Sequence, residues 1–184
     1  LISRGPNLRG DATKVRTDVF AFEEAVAQGR WQDALDLHKG ELLSGFHVVD
    51  APDFEHWLHI ERDQLRELAA KAAWARAEEW IAVGEPLEAE RAAQRALLLA
   101  PTDETPVREF IQALAAAGER AAAVSFYDRF CSILTRMLEV DPSPDTAAVG
   151  MAVRNGATPM AAGDGILPGP RQSQRRPDSA GASQ

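Results

Sequence analysis

The stretch WIAVGEPLEAERAAQRALLLAPTDETPVREFIQALAAAGERAAA, residues 80–123, carries the same short phrase near both ends. Gly84 is followed five residues later by Ala89, and Gly118 by Ala123. Each glycine closes an apolar-rich segment and precedes another helical pattern. A glycine at a helix end can take the left-handed conformation that other residues resist, and a small alanine one turn into the next helix lets the two helices approach closely. The phrase therefore predicts antiparallel helix hairpins. It occurs once more upstream, at Gly29 and Ala34. Gly84 and Gly118 are 34 residues apart, whereas Gly29 and Gly84 are 55 apart. The excess after the first hairpin predicts a loop followed by an extended helix.

The individual helices follow from caps and periodicity. Asp18 is placed to cap a first helix carrying Val19, Phe22 and Val26, and Trp31, Ala34, Leu35 and Leu37 open its partner. Gly40 to Pro52 contains two glycines and a proline among apolar Leu42, Leu43, Phe46 and Val48, which predicts an ordered loop packed by its own side chains. Asp53 then starts the longest helix, roughly thirty residues without a breaker, with Trp57, Ile60, Leu65, Leu68, Ala72 and Trp80 as its apolar stripe. Pro86 suits a first helical turn, and Ala89, Ala93, Ala96 and Leu97 give that helix a small-residue face ending before Pro101. Thr102 or Asp103 caps a helix in which Val107, Phe110, Ile111 and Leu114 face inward. Ala122, Phe126, Phe130, Ile133 and Leu134 carry the next. Ser143-Pro144-Asp145-Thr146 reads as a cap, a first-turn proline and an early acid, opening a short helix through Val149 and Val153.

Beyond Asn155 the pattern fails. Residues 155–184 hold five glycines and four prolines with few large apolar side chains. Such a segment cannot offset its ordering entropy by burial, and the expectation is a disordered linker or tail. The predicted organisation is thus 1–14 as a preceding element, 15–154 as the folded body and 155–184 as the tail.

Composition restricts the function. The chain has 184 residues, 45% of them hydrophobic, enough for one real core. Nothing reaches the roughly 18 uninterrupted apolar residues of a membrane span, and no basic segment followed by an apolar run opens the chain, so the expected location is the cytoplasm, away from membranes. Cys131 has no second cysteine to pair with, which fits a reducing compartment and a small core residue. Charge is uneven: residues 1–14 carry net +2 and residues 155–184 net +1, so the total of −8 leaves −11 on residues 15–154. A body that acidic repels the phosphate backbone and is a poor DNA-binding surface by itself.

No residue pattern points to catalysis. His56 and His59 stand one helical turn apart with Asp53 and Asp63 near that face, a conceivable but weakly specified metal pair that reads better as a solvated face. Glu23-Glu24 and Glu78-Glu79 are adjacent on helices and splay apart, so they cannot share acid/base work. A phosphate loop, a Gly-x-Ser-x-Gly elbow and a Gly-x-Gly-x-x-Gly fingerprint are all lacking. Trp31, Trp57, Trp74 and Trp80 are assigned to packing between helices. Arg171, Arg175 and Arg176 are assigned to a solvated linker. No catalytic, cofactor-binding or metal-binding residue is assigned, and the expectation is that the chain is not an enzyme.

The order of motifs resembles a known family. Asp18-Val19-Phe20-Ala21-Phe22-Glu23, then Gly40-Glu41-Leu42-Leu43-Ser44-Gly45-Phe46, Trp57 and Glu61-Arg62 are similar to the bacterial transcriptional activator domain of Streptomyces antibiotic regulatory protein type regulators. Ala117-Gly118-Glu119-Arg120-Ala121-Ala122-Ala123-Val124 with Phe126-Tyr127 resembles its last hairpin, and Asp141-Pro142-Ser143-Pro144-Asp145-Thr146 its closing signature. The spacing of 34 residues is that of tetratricopeptide repeats. The fold expected is therefore all-α, tetratricopeptide-like, with about seven helices. The resemblance implies an effector module beside a winged-helix DNA-binding domain, with residues 1–14 as the remnant of that domain's last hairpin. DNA would be reached only through that absent domain. The implied partners are the winged helix, a second protomer and RNA polymerase, with no cofactor. The competing reading is a free-standing tetratricopeptide-like scaffold unrelated to transcription.

Overall fold

The structure, a computed structural model, describes residues 2–4, 7–9 and 17–156, the first two segments as backbone only. The segment 2–9 supplies an antiparallel ribbon of β1 (Ile2–Arg4) and β2 (Asn7–Arg9), with Ile2 opposite Arg9 and Arg4 opposite Asn7. Seven helices follow: α1 (Asp18–Ala27), α2 (Trp31–Leu37), α3 (Pro52–Ala82), α4 (Pro86–Leu99), α5 (Glu104–Ala116), α6 (Arg120–Leu138) and α7 (Pro144–Arg154). The body is all-α, as the glycine phrase predicts. Of the expected tail, all but Asn155 and Gly156 lies outside the described residues, as do residues 10–16 of the entering segment.

Three hairpins, α1–α2, α3–α4 and α5–α6, are closed by one repeated device. At Gly84 (φ +80°) the glycine N–H donates to the Ile81 carbonyl at 3.0 Å, and the Glu85 N–H to the Trp80 carbonyl at 2.9 Å. These two bonds satisfy carbonyls that the end of α3 leaves open, and they require the left-handed residue between them. Gly29 and Gly118 repeat the pattern bond for bond. The residue after each glycine then starts the next helix by accepting from the alanine of the phrase: Ala34 donates to Arg30, Ala89 to Glu85 and Ala123 to Glu119, each at 3.0 Å. All three alanines are fully buried. The phrase thus encodes the turn and the close helix approach together.

Helix α4 packs along α3, α3 against α5, and α5 against α6, so one core runs through the hairpins. Val107, Phe110, Ile111 and Leu114 all face inward, and Ala89, Ala93, Ala96 and Leu97 form the buried face of α4. Trp74 of α3 meets Phe110 and Phe126, whose own ring centroids are 4.7 Å apart edge to face. Helix α7 closes the stack against α5 and α6. Gly150 makes this closure possible, because a Cβ there would lie 2.3 Å from Cζ of Tyr127.

The closing signature has a direct role. Ser143 caps α7 through Thr146, Pro144 takes the first turn, and the Ser143 N–H donates to both Glu104 carboxylate oxygens at 3.1 and 3.0 Å. Arg108 donates to the buried Thr146 hydroxyl at 3.1 Å. Burial would raise the Glu104 carboxyl, but the bonds from Ser143 and Thr146, with Arg108 nearby, outweigh it and hold the group below its ordinary value.

Three sequence expectations need correction. The cap of α1 is Thr17, whose Oγ1 accepts from the Phe20 N–H at 3.2 Å, while Asp18 sits in the first turn, where the helix dipole favours it. Helix α3 begins at Pro52, which lacks the N–H a first-turn residue would leave unpaired anyway. Of the two candidate caps for α5, Thr102 and Asp103, it is Asp103 that caps, as one of the alternatives expected. The α3 stripe is also misplaced at its start: Leu58 is fully buried, whereas Trp57 and Ile60 are 46% and 41% exposed. At about 100° per residue, Leu58, Leu65, Ala69 and Ala72 share the inner face, and Trp57 and Ile60 fall on the outer one.

Candidate interaction surfaces

The Gly-Glu-Leu-Leu-Ser-Gly-Phe element forms a tight loop that α3 holds from outside. Its turn is closed by the Phe46 N–H donating to the Leu43 carbonyl at 2.9 Å, with Gly45 at φ +75° and Leu43 at φ +50°. A leucine in that region is strained, and Arg62 holds it there. Arg62 donates through Nε to the Leu42 carbonyl at 2.8 Å and through Nη2 to the Leu43 carbonyl at 2.9 Å. Farther along, Glu55 accepts from the Val48 N–H at 3.2 Å and lies 2.9 Å from Nδ1 of His47. Arg66 bridges Glu41 and Asp63 at 2.8 and 2.9 Å. The expectation of a loop packed by its own side chains is therefore corrected. Polar side chains of α3 fasten the loop; Leu42 packs against the core and Val48 is half-buried, but other apolar side chains of the loop face solvent.

Several apolar side chains of the loop and of the start of α3 are exposed, and three rings among them are in contact. Leu43, Phe46 and Val49 are exposed, Val49 by 76%, as are Trp57 and Ile60 on the first turns of α3. Phe54 lies between, with its ring centroid 5.9 Å from Phe46 and 5.6 Å from Trp57. An exposed apolar patch on a rigidly fastened support is a mark of an interaction site.

Beside this face lies a cleft lined by Val19 and Phe22 of α1, Leu37 and His38 at the end of α2, and Leu42 and Leu43 of the loop. Arg95 of α4 fixes its rim by donating to the Leu35 and His38 carbonyls at 2.7 and 3.0 Å. Burial lowers the His38 pKa, and the Arg95 charge lowers it further. A second groove runs between α3 and α5, with Trp74 and Lys71 among Glu67, Glu78, Asp103 and Glu109. The Trp74 Nε1–H is buried without a hydrogen-bond partner.

The residues weighed for chemistry are dispersed. His56 and His59 are both exposed; His59 pairs with Asp63 at 3.3 Å, while His56 and Asp53 complete no cluster. Among the described residues no group of three or more His, Cys, Asp or Glu side chains is arranged to hold a metal ion. Cys131 is half-buried against the core, its thiol pushed up by burial; Tyr127 beside it is pushed up to about 12 by burial and by their hydrogen bond. Glu78 and Glu79 are exposed, and Glu79 pairs with Arg76 at 2.7 Å. Trp31, Trp74 and Trp80 pack as expected; Trp80 also lies under the Arg76 guanidinium at 4.0 Å. Trp57 does not. Arg171, Arg175 and Arg176 lie outside the described residues. Two organising residues escaped the sequence reading, the loop clamp Arg62 and the α7 anchor Glu104. Arg62 had a signal in the Glu61-Arg62 motif; Glu104, 39 residues from Ser143, had none.

Among the described residues no helix is long and apolar enough to cross a membrane. The sequence model of the bacterial transcriptional activator domain family matches residues 12–154. That span includes all seven helices and both surfaces, and the chain belongs to this family. No curated protein and no solved structure matches the chain.

Proposed function

We propose that this member of the bacterial transcriptional activator domain family is the effector module of a transcriptional regulator, acting by protein contact beside a winged-helix DNA-binding domain. The family match over the whole helical body carries the reading. The charge distribution supports it: net −11 on residues 15–154 disfavours direct DNA contact, so sequence readout belongs to another domain. In this reading β1 and β2 are the last hairpin of that domain. The exposed aromatic face and the α3–α5 groove receive macromolecules, a second protomer or RNA polymerase among them. The module performs no chemistry of its own and works in the cytoplasm.

The test is a gel shift and a transcription assay with the product of the reading frame extended upstream of Leu1. The extended product is expected to shift promoter DNA at low salt and to activate transcription. Removing residues 17–184 should leave the shift and abolish the activation. An upstream sequence without a winged helix, together with no shift, would overturn the proposal. A free-standing scaffold would then take its place.

A further inference from the structure

Along the helices, carboxylates are met by guanidinium groups three residues away or on a neighbouring helix: Glu79 by Arg76, Glu88 by Arg91, Glu90 by Arg129 and Asp128 by Arg154. The groove between α3 and α5 is built differently. Glu67 and Glu78 stand on its α3 wall and Asp103 and Glu109 on its α5 side, and the cation lining it is Lys71. Among the described residues Glu67, Glu78, Glu109 and Lys71 have no ion-pair or hydrogen-bond partner, while the Asp103 carboxylate accepts the Thr105 N–H at 3.3 Å. Carboxylates gathered unpaired around one groove repel one another, and a cationic occupant relieves that repulsion. The lining between them is small. Ala70, Ala75 and Ala100 offer only methyl groups beside the Trp74 indole, so a main chain can approach closely. Trp74 is 8% exposed, and its Nε1–H has no acceptor among the described residues, a costly state for a buried donor.

We propose that this groove binds an extended, Lys- or Arg-rich segment of a partner protein, its backbone against the alanine lining and its cations against the carboxylates of both walls. The charges select the occupant. Nucleic acid is repelled by them, and so is a second copy of this body, itself net −11 over residues 15–154. Glu67 and Glu78 are separated by about 16 Å along the helix axis, a length that about five extended residues cover. Successive side chains of such a segment point to opposite sides, so its odd positions meet α3 and its even positions α5. Lys71 stands between the two glutamates on the α3 wall and repels a cation at the middle position, which leaves the basic residues on that side at the two ends. Solvent-facing ion pairs are individually weak, so the association depends on several at once and is sensitive to salt. The proposal rests on the function proposed above, in which the groove receives a macromolecule, and names the chemistry of what it receives.

The test titrates the full chain at low salt with the end-blocked peptide Arg-Arg-Ala-Arg-Arg and follows the indole N–H resonances, assigned by single Trp→Phe changes. The Trp74 signal should shift saturably while those of Trp31 and Trp57 stay in place, and the charge-reversed peptide Glu-Glu-Ala-Glu-Glu should move none of them. Changing Glu67→Gln, Glu78→Gln and Glu109→Gln together, all at exposed positions, should weaken binding about tenfold. Asp103 is left in place because it caps α5. As a control, Glu23→Gln, Glu85→Gln and Glu119→Gln remove the same charge elsewhere on the body and should leave the affinity within about twofold. Equal losses in the two triple variants would overturn the proposal, since net charge alone would then attract the peptide. The absence of a saturable Trp74 shift, both in the full chain and in one carrying Arg171→Gln, Arg175→Gln and Arg176→Gln, would also overturn it. Binding that appears only in that last variant would overturn it as well, by making the chain's own arginines the occupant. No DNA takes part, so a failure here is separate from a failure of the gel shift or of the transcription assay.

Discussion

The glycine-closed hairpins and the loop between α2 and α3 are built by opposite rules. In the hairpins, local sequence and global packing agree: Gly84 closes the turn, Ala89 starts the next helix, and the same alanine fills the tight contact with α3. In the loop, long-range polar contacts hold an otherwise unfavourable path. Leu43 sits at φ +50° and Asp50 at φ +62°, and the carbonyls are held by Arg62 from about twenty residues away. Regular repeats concentrate stability, whereas the irregular insertion presents apolar surface to solvent. Consistency across levels marks scaffold, and its local failure marks function.

The sharpest way to break this contrast is to cut into the aromatic centre of the body. Phe110 is 2% exposed and contacts both Trp74 and Phe126. Phe110→Ala should cost about 3–5 kcal/mol, the range for truncating a buried phenylalanine, measured by urea denaturation. A loss below about 1 kcal/mol would mean that the core is far looser than its ring contacts imply.

This centre was the part most legible in the sequence, and the reason is physical. Helical periodicity reports burial wherever apolar residues face other helices, so Val107, Phe110, Ile111 and Leu114 could be named in advance. The turns were legible because only glycine takes the left-handed conformation at little cost. Trp57 and Ile60 were misread for a matching reason. Periodicity detects an apolar stripe without saying whether protein or solvent lies beyond it, and on α3 the neighbouring Leu58 took the inner position. The roles of Arg62 and Glu104 could not be read, because their partners are distant in sequence; the Glu61-Arg62 motif marked Arg62 without saying what it holds, and nothing marked Glu104.

The loop should respond to Arg62→Met more locally than the body responds to Phe110→Ala. Two hydrogen bonds from a charged donor are lost, at about 1.5–3 kcal/mol each where the group is buried, less here because Arg62 is only partly buried. Hydrogen exchange should accelerate across residues 41–49 and stay unchanged in α5 and α6. Arg62→Lys should not rescue the loop, since an ammonium cannot reproduce the fork that reaches two successive carbonyls. Uniform acceleration in both regions would erase the distinction between fastened loop and self-supporting hairpin.

A smaller, pH-dependent effect belongs to the closure of the stack. The folded-state pKa of Glu104 is depressed, so its contribution is present above the ordinary value of 4.5 and is lost as the pH falls through the folded value. Urea midpoints recorded from neutral to acidic pH should therefore decline in that window, and Glu104→Gln should flatten part of the decline. An identical slope in the variant would show that the Ser143 contacts do not favour the charged form.

The smallest expected effect is also the most telling about the outer face. Trp57 is 46% exposed, and its described ring contact is with Phe54 alone. Trp57→Ala should shift stability by about 1–2 kcal/mol, because nearly half of the residue already faces solvent. The corresponding change at Trp74, 8% exposed and packed on two rings, should cost several times more. Two tryptophans on one helix would then differ through their surroundings alone. A large loss at Trp57 would place the ring under cover that the helices do not provide, and the cover would have to come from outside residues 17–156.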